Sequence, residues 1–245
     1  MLGNLPQVEA LGPQIVDITV RGGLPWRYIG HVYLGLAAHW RGNADSAEAE
    51  LRKAIELEPP TVFAGQSASL LARHLAFQGR VDEVMELFVS VQSQSRLPSL
   101  DRVNGVGSWN CMLGFVEAFY VCGLYDQAAA LSPLVERVLE IGKRWITFDG
   151  RLVETRAGLA AAAARQWDEA ERHFTIARKV AEQMTNRLEL ADLNRLHARM
   201  LLERGGTGDD ARAAEMLEGA LAAYRDFGMP AYAAEAERLR GRALA

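Results

Sequence analysis

Residues 27–60 read RYIGHVYLGLAAHWRGNADSAEAELRKAIELEPP, and the fold turns on this stretch. Its first half, Trp26 to Arg41, places Leu34, Ala37 and Ala38 at helical spacing around the small Gly35. Gly42-Asn43 then interrupts the helix, since both residue types tolerate left-handed backbone. A second helix, Ala44 to Glu58, carries Ala47, Leu51, Ala54 and Ile55 as an amphipathic stripe. Pro59-Pro60 ends it, because proline lacks the amide donor and clashes with the preceding turn. Two helices of similar length around a tight glycine turn make an antiparallel hairpin.

The same arrangement recurs along the chain. Leu71, Ala72 and Leu75 precede Gly79, with Val84, Leu87, Phe88 and Val91 after it. Phe115, Val116 and Phe119 precede Gly123, with Ala128, Leu131 and Val135 after it. Ala157, Gly158 and Ala161 precede the turn Arg165-Gln166-Trp167, followed by Ala170, Phe174 and Ala177. His197, Ala198 and Leu201 precede Gly205, followed by Ala213, Leu217 and Ala220. Hairpins are therefore expected over 24–61, 62–98, 106–142, 149–185 and 187–228. Their period of about 37–44 residues marks a helical repeat array. Residues 1–23 read as half a hairpin, with the β-branched run Ile15 to Val20 taken as helix. Residues 229–245 read as a closing helix whose polar side carries Glu235, Glu237, Arg238, Arg240 and Arg242. One unit over 1–245, with about twelve helices, is the expectation.

Composition fits this architecture and removes several others. The 245 residues are 49% hydrophobic and carry a net charge of −4, without the basic excess of a duplex binder. No apolar run reaches membrane-span length, and Met1 to Glu9 lacks the charge and apolar stretch of a signal peptide. Cys111 and Cys122 lie eleven residues apart on one expected helix. That separates them by roughly 16 Å, too far for a disulfide. Two isolated thiols fit a reducing compartment, so a cytoplasmic location is expected.

With Gly35, Ala47, Leu51, Ala54 and Pro59, and again with Gly158, Ala170, Phe174 and Ala177, the chain resembles the tetratricopeptide repeat. That family places a small residue midway along helix A, then a small, a large and a small residue on helix B, and a proline beyond. Three hairpins match in part, and the period exceeds the family's standard 34 residues. The resemblance implies an all-α, right-handed superhelical solenoid of antiparallel hairpins. The longer period and the extended turn Gly205 to Asp210 are similar to the repeat arrays of large bacterial ATP-dependent transcriptional activators. The tail from Leu196 to Pro230 shares their character. A signal-reading arm of such a regulator is accordingly one reading, with the ATPase and DNA-binding parts lying elsewhere.

Local signatures of chemistry are sparse. Arg204-Gly205-Gly206-Thr207-Gly208 has glycines but lacks the lysine and preceding strand of a phosphate-binding loop. In Gly105-Val106-Gly107-Ser108, the serine reads as the N-cap of the next helix. The histidines, His31, His39, His74, His173 and His197, form no four-residue helical pair, and no ligand set for zinc is apparent. No metal, no cofactor and no catalytic residue is assigned. A triad built from distant positions leaves no local trace, so an enzyme with a cryptic groove site stands as the weaker alternative.

What remains is the concave face, which in repeat arrays is lined by the A helices and binds partners. The inward positions supply His39 and Trp40, then Arg73 and Phe77, then Glu117 and Tyr120, and finally Arg195 and Arg199. Trp40, Phe77 and Tyr120 hold equivalent or adjacent positions and could form an aromatic ladder, although packing against the next hairpin is the plainer reading. The expected partner is a protein or peptide held in this groove, with no direct nucleic-acid or membrane contact. The half-hairpin at residues 1–23 suggests either a homodimer or docking of a neighbouring unit.

Overall fold

The computed structural model describes residues 5–101, 103–146 and 150–244. Among these the chain is all-α. Its segments are α1 (Leu5–Arg21), α2 (Arg27–Arg41), α3 (Ala44–Leu57), α4 (Gln66–Phe77), α5 (Val81–Ser93), α6 (Val106–Cys122) and α7 (Tyr125–Ala130). They continue as α8 (Ser132–Glu140), α9 (Val153–Ala163), α10 (Trp167–Gln183), α11 (Arg187–Arg204), α12 (Asp209–Phe227) and α13 (Pro230–Ala243). The β-branched run Ile15 to Val20 lies within α1, as its lack of a strand partner requires. An isolated bridge between Trp145 and Leu152 is the one β-type pairing among the described residues.

Segments α7 and α8 are one helix broken at Leu131. Pro133 has no amide to give the carbonyl of Ala129, so the ladder lapses for a step. It restarts when Leu134 and Val135 both donate to the carbonyl of Leu131, at 3.0 and 3.1 Å. Another boundary departs from expectation. Helix α6 begins at Val106 with Gly105 as its cap, so Ser108 lies inside the helix and caps nothing.

The turns repeat as the sequence does. After α2, Gly42 takes φ +81°, its amide reaches the carbonyl of His39 at 3.1 Å, and Asn43 reaches Ala38 at 2.9 Å. This pair of bonds is a Schellman close, which satisfies two carbonyls orphaned at the helix end. The same two bonds follow α4 at Gly79 and Arg80, α6 at Gly123 and Leu124, and α9 at Arg165 and Gln166. Arg165 holds the left-handed position without being glycine, at φ +57°. The turn after α11 is different: Gly205 donates a single bond to Leu201, and the chain runs on to Gly208 before α12 starts.

The core lies between helices of each hairpin and between successive hairpins. On the B helices the small–large–small pattern is buried throughout: Ala47, Leu51 and Ala54; Ala170, Phe174 and Ala177; Ala213, Leu217 and Ala220. Facing them, Gly35 and Gly158 leave no room for a methyl group. A Cβ at Gly35 would lie 2.7 Å from Leu51 Cγ, and one at Gly158 would lie 2.7 Å from Phe174 Cε1. The glycine on helix A and the large residue on helix B are thus one fitted pair, used twice. Helix α4 packs on α6 as well as on α5, and α13 packs on both α12 and α2. That last contact joins the far ends of the described chain.

Candidate functional site

Helices α2, α4, α6 and α11 carry their inward residues toward one region, and α13 covers it. Arg73 Nε lies 2.8 Å from Glu117 Oε2, and Arg195 Nη2 lies 3.7 Å from Glu117 Oε1. Arg156, on α9, makes a closer pair with the same carboxylate. Arg195 also reaches Glu235 of α13 at 3.0 Å and donates to Tyr224 Oη at 3.2 Å. Tyr224 in turn bonds Asp192, which pairs with Arg151 at 2.5 Å. Arg151 donates to the carbonyl of Leu188 at 3.1 Å, and Glu189 accepts from Thr155 Oγ1 at 2.5 Å. A continuous ionic network therefore runs through the interior from α4 to α13.

Its electrostatics follow from burial and neighbours. Burial alone would raise the carboxyl of Glu117, but Arg156, Arg73, Arg195 and Arg151 together hold it down at about 2. Glu189 goes the other way: desolvation outweighs its arginine and threonine partners and pushes its carboxyl up. His39 is driven well below the ordinary imidazole range, first by burial and then by His74 and Arg73. Its Nε2 lies 2.7 Å from Tyr232 Oη and its Nδ1 lies 3.0 Å from Nδ1 of His74. Phe77 stacks on Tyr232 with centroids 4.6 Å apart. The space left between Arg73, Phe77, Glu117, Arg195 and Tyr232 is about 10 Å³, near the lower limit for one water.

Of the eight candidate residues, the structure brings His39, Arg73, Phe77, Glu117 and Arg195 to this region. They form a closed interior there and do not line an open groove. His39, Trp40, Arg73, Glu117, Tyr120 and Arg195 are all buried. Phe77 and Arg199 are half-buried. The aromatic ladder is absent from the ring contacts of Phe77 and Tyr120. Phe77 meets His39 and Tyr232, Tyr120 meets Tyr125, and Trp40 is a core residue. Closure comes from α13. Beside the His39–Tyr232 contact, Arg41 donates to the carbonyl of Gly228 at 3.1 Å while its Nε and Nη2 grip Glu9 at 2.7 and 2.9 Å.

Several network members escape a reading of the sequence. Arg151 and Arg156 bracket the start of α9, and Arg156, four after Leu152 and three before Leu159, shares their inward face; that spacing was the available signal. Glu235, expected on the outer polar side of the last helix, instead turns inward to Arg195. Tyr232 carries no mark in the sequence that separates it from a core aromatic.

An open cleft of about 270 Å³ lies beside the closed interior, lined by Tyr125, Ala162, Ala163, Arg165, Trp167, Glu203 and Arg204. Tyr120 and Arg199 support its wall. Tyr120 Oη donates to Glu203 Oε2 at 2.6 Å, and Arg199 donates to Glu203 Oε1 at 3.2 Å and to the carbonyl of Val121 at 2.7 Å. Burial, with a smaller push from Glu203, raises the phenol of Tyr125 to about 12, so it serves as a neutral donor at physiological pH.

His173, Glu169 and Glu136 place an imidazole nitrogen and two carboxylate oxygens within 4.8 Å of one another. Glu169 and His173 are four apart on α10, a spacing visible in the sequence, whereas Glu136 arrives from α8. No helix among the described residues is long and apolar enough to cross a membrane. No protein-family model matches the chain, and no curated protein matches it in sequence.

Proposed function

We propose that the chain is a tetratricopeptide-like, right-handed superhelical scaffold that binds a protein or peptide and catalyses no reaction. The observation that carries the reading is the reuse of one hairpin design. The Gly35–Leu51 and Gly158–Phe174 crossings and four identical turns are what a repeat array needs in order to stack. Recognition is assigned to the open cleft and not to the closed interior, where the buried candidates stiffen the frame. The cleft offers aromatic surface from Tyr125 and Trp167, cations from Arg165 and Arg204, and an acceptor from Glu203. Such mixtures of aromatic and arginine side chains anchor interfaces.

The test is site-specific photo-crosslinking in cells, with a benzophenone residue at Trp167 or, as control, at the exposed Val89 of α5. A discrete adduct from position 167 that disappears in Arg165→Glu supports the assignment. Equal labelling at both positions, or adducts unaffected by Arg165→Glu, would count against it.

A second reading, the repeat arm of a larger regulator, draws support from α1. Leu11 and Ile18, seven residues apart and so on one edge of the helix, are 43% and 61% exposed, an apolar strip suited to an adjoining unit or a second copy.

A further inference from the structure

Outside the network, α8, α9 and α10 converge on a single imidazole. His173 is buried to 1% exposure. Its Nδ1 lies 2.7 Å from Glu154 Oε2. A carboxylate only accepts, so Nδ1 carries a proton, and in the neutral ring Nε2 then keeps its lone pair. The other side agrees: Arg172 Nη2, which can only donate, lies 3.1 Å from Nε2. Yet Glu169 Oε1 is 3.2 Å from the same nitrogen, and Glu136 Oε1 is 3.9 Å away. A nitrogen lone pair and two carboxylates facing one another repel unless a cation stands among them. Arg172 supplies a positive charge here from a side chain 52% exposed, bonding Glu169 as well. Three carboxylates surround this imidazole against that one guanidinium.

We propose that His173 Nε2, Glu169 and Glu136 bind a divalent first-row transition ion, with Glu154 fixing the imidazole from behind and Arg172 occupying the place the ion would take. Four features support a site over a surface ion pair. The histidine is preset in the ligating tautomer. Its back is held by a carboxylate, the arrangement that orients metal-bound histidines. The three ligand atoms lie within 4.8 Å of one another, against separations of roughly 3–4.4 Å for atoms sharing one ion at metal–ligand distances of about 2.0–2.2 Å. Finally, Glu136 and Glu169 border an open cleft beside Trp167, so an ion has a way in. One imidazole and two carboxylates suit Zn²⁺ or a neighbouring first-row ion better than Mg²⁺, which prefers oxygen alone. Bound there, the ion would tie α8 to α10 and so join two successive hairpins.

The experiment is calorimetric titration of the full, chelator-treated chain with Zn²⁺, alongside thermal unfolding with and without the ion. One saturable site and a raised melting temperature are expected. The double variant Glu136→Gln/Glu169→Gln changes only partly exposed side chains, and circular dichroism checks its fold. Its affinity should fall by at least about tenfold, and that of Glu154→Gln by about tenfold. Arg172→Gln should bind as tightly as the native chain or more so, and millimolar Mg²⁺ should not compete. The proposal is overturned by failure to take up Zn²⁺, by uptake unchanged in the double variant, by weaker binding in Arg172→Gln, or by equal competition from Mg²⁺.

Discussion

Glu117 shows how much can depend on one side chain. Its carboxylate is shared by Arg73, Arg156 and Arg195 in an interior that excludes water. Taking it away leaves guanidinium groups uncompensated, and Glu117→Gln is expected to cost about 3–5 kcal/mol at neutral pH in urea unfolding. The pH dependence has a definite sign. A carboxyl held at about 2 in the folded chain, against an ordinary 4.5, contributes stability that is complete above the unfolded value and lost as pH falls through the folded one. That contribution is roughly 3 kcal/mol, so the gap between native chain and Glu117→Gln should close between about pH 5 and pH 2. A constant gap across that window would show that the charge of Glu117 is not what stabilises. Two backbone-level changes act in opposite directions. Gly35→Ala drives a methyl into Leu51 and should lose about 1–3 kcal/mol. Arg165→Gly relieves a left-handed arginine and should gain about 1 kcal/mol, read as a shifted urea midpoint at constant slope.

At the scale of elements, α13 is the piece that closes the structure. Its Tyr232 stacks on Phe77 of α4 and meets His39 of α2, while Glu235 caps Arg195 of α11. Tyr232→Ala should therefore cost about 3–5 kcal/mol, as loss of a buried aromatic does. Amide exchange gives the more specific readout. Protection should drop in α13 and also at the end of α2 around His39 and Arg41, which are remote in sequence. Loss of protection confined to α13 would mean that it is an appendage and not a closure. By contrast, the α7–α8 break has a local cause in Pro133 and calls for no tertiary explanation.

For the whole molecule, the open question of assembly rests on α1. The exposed Leu11 and Ile18 lie seven residues apart, on one edge of the first described helix. If this face pairs two copies, light scattering after gel filtration will give a dimer that Leu11→Glu/Ile18→Glu converts to monomer. A monomer for the native chain would leave the face to a neighbouring unit, or to none, and end the dimer reading.

The amino-acid sequence determined the helices, the hairpin turns and the small–large–small pattern of Ala47, Leu51 and Ala54 and of Ala170, Phe174 and Ala177. These follow from periodicity, left-handed turn positions and the sizes of residues close together in the chain. It also determined that His39, Arg73, Glu117 and Arg195 point inward, since helical register sets direction. Whether that inside is open or closed could not be read locally. Closure depends on α13 reaching α2, across 193 residues between His39 and Tyr232. It depends as well on Arg151 and Arg156 turning their charges into the interior, where only carboxylates from other hairpins make burial tolerable. The His173 cluster divides in the same way. Glu169 lies one helical turn away and was legible, but Glu136 and Glu154 come from other helices. Spacing along a helix fixes direction, whereas distance between helices belongs to packing, and packing decided the site.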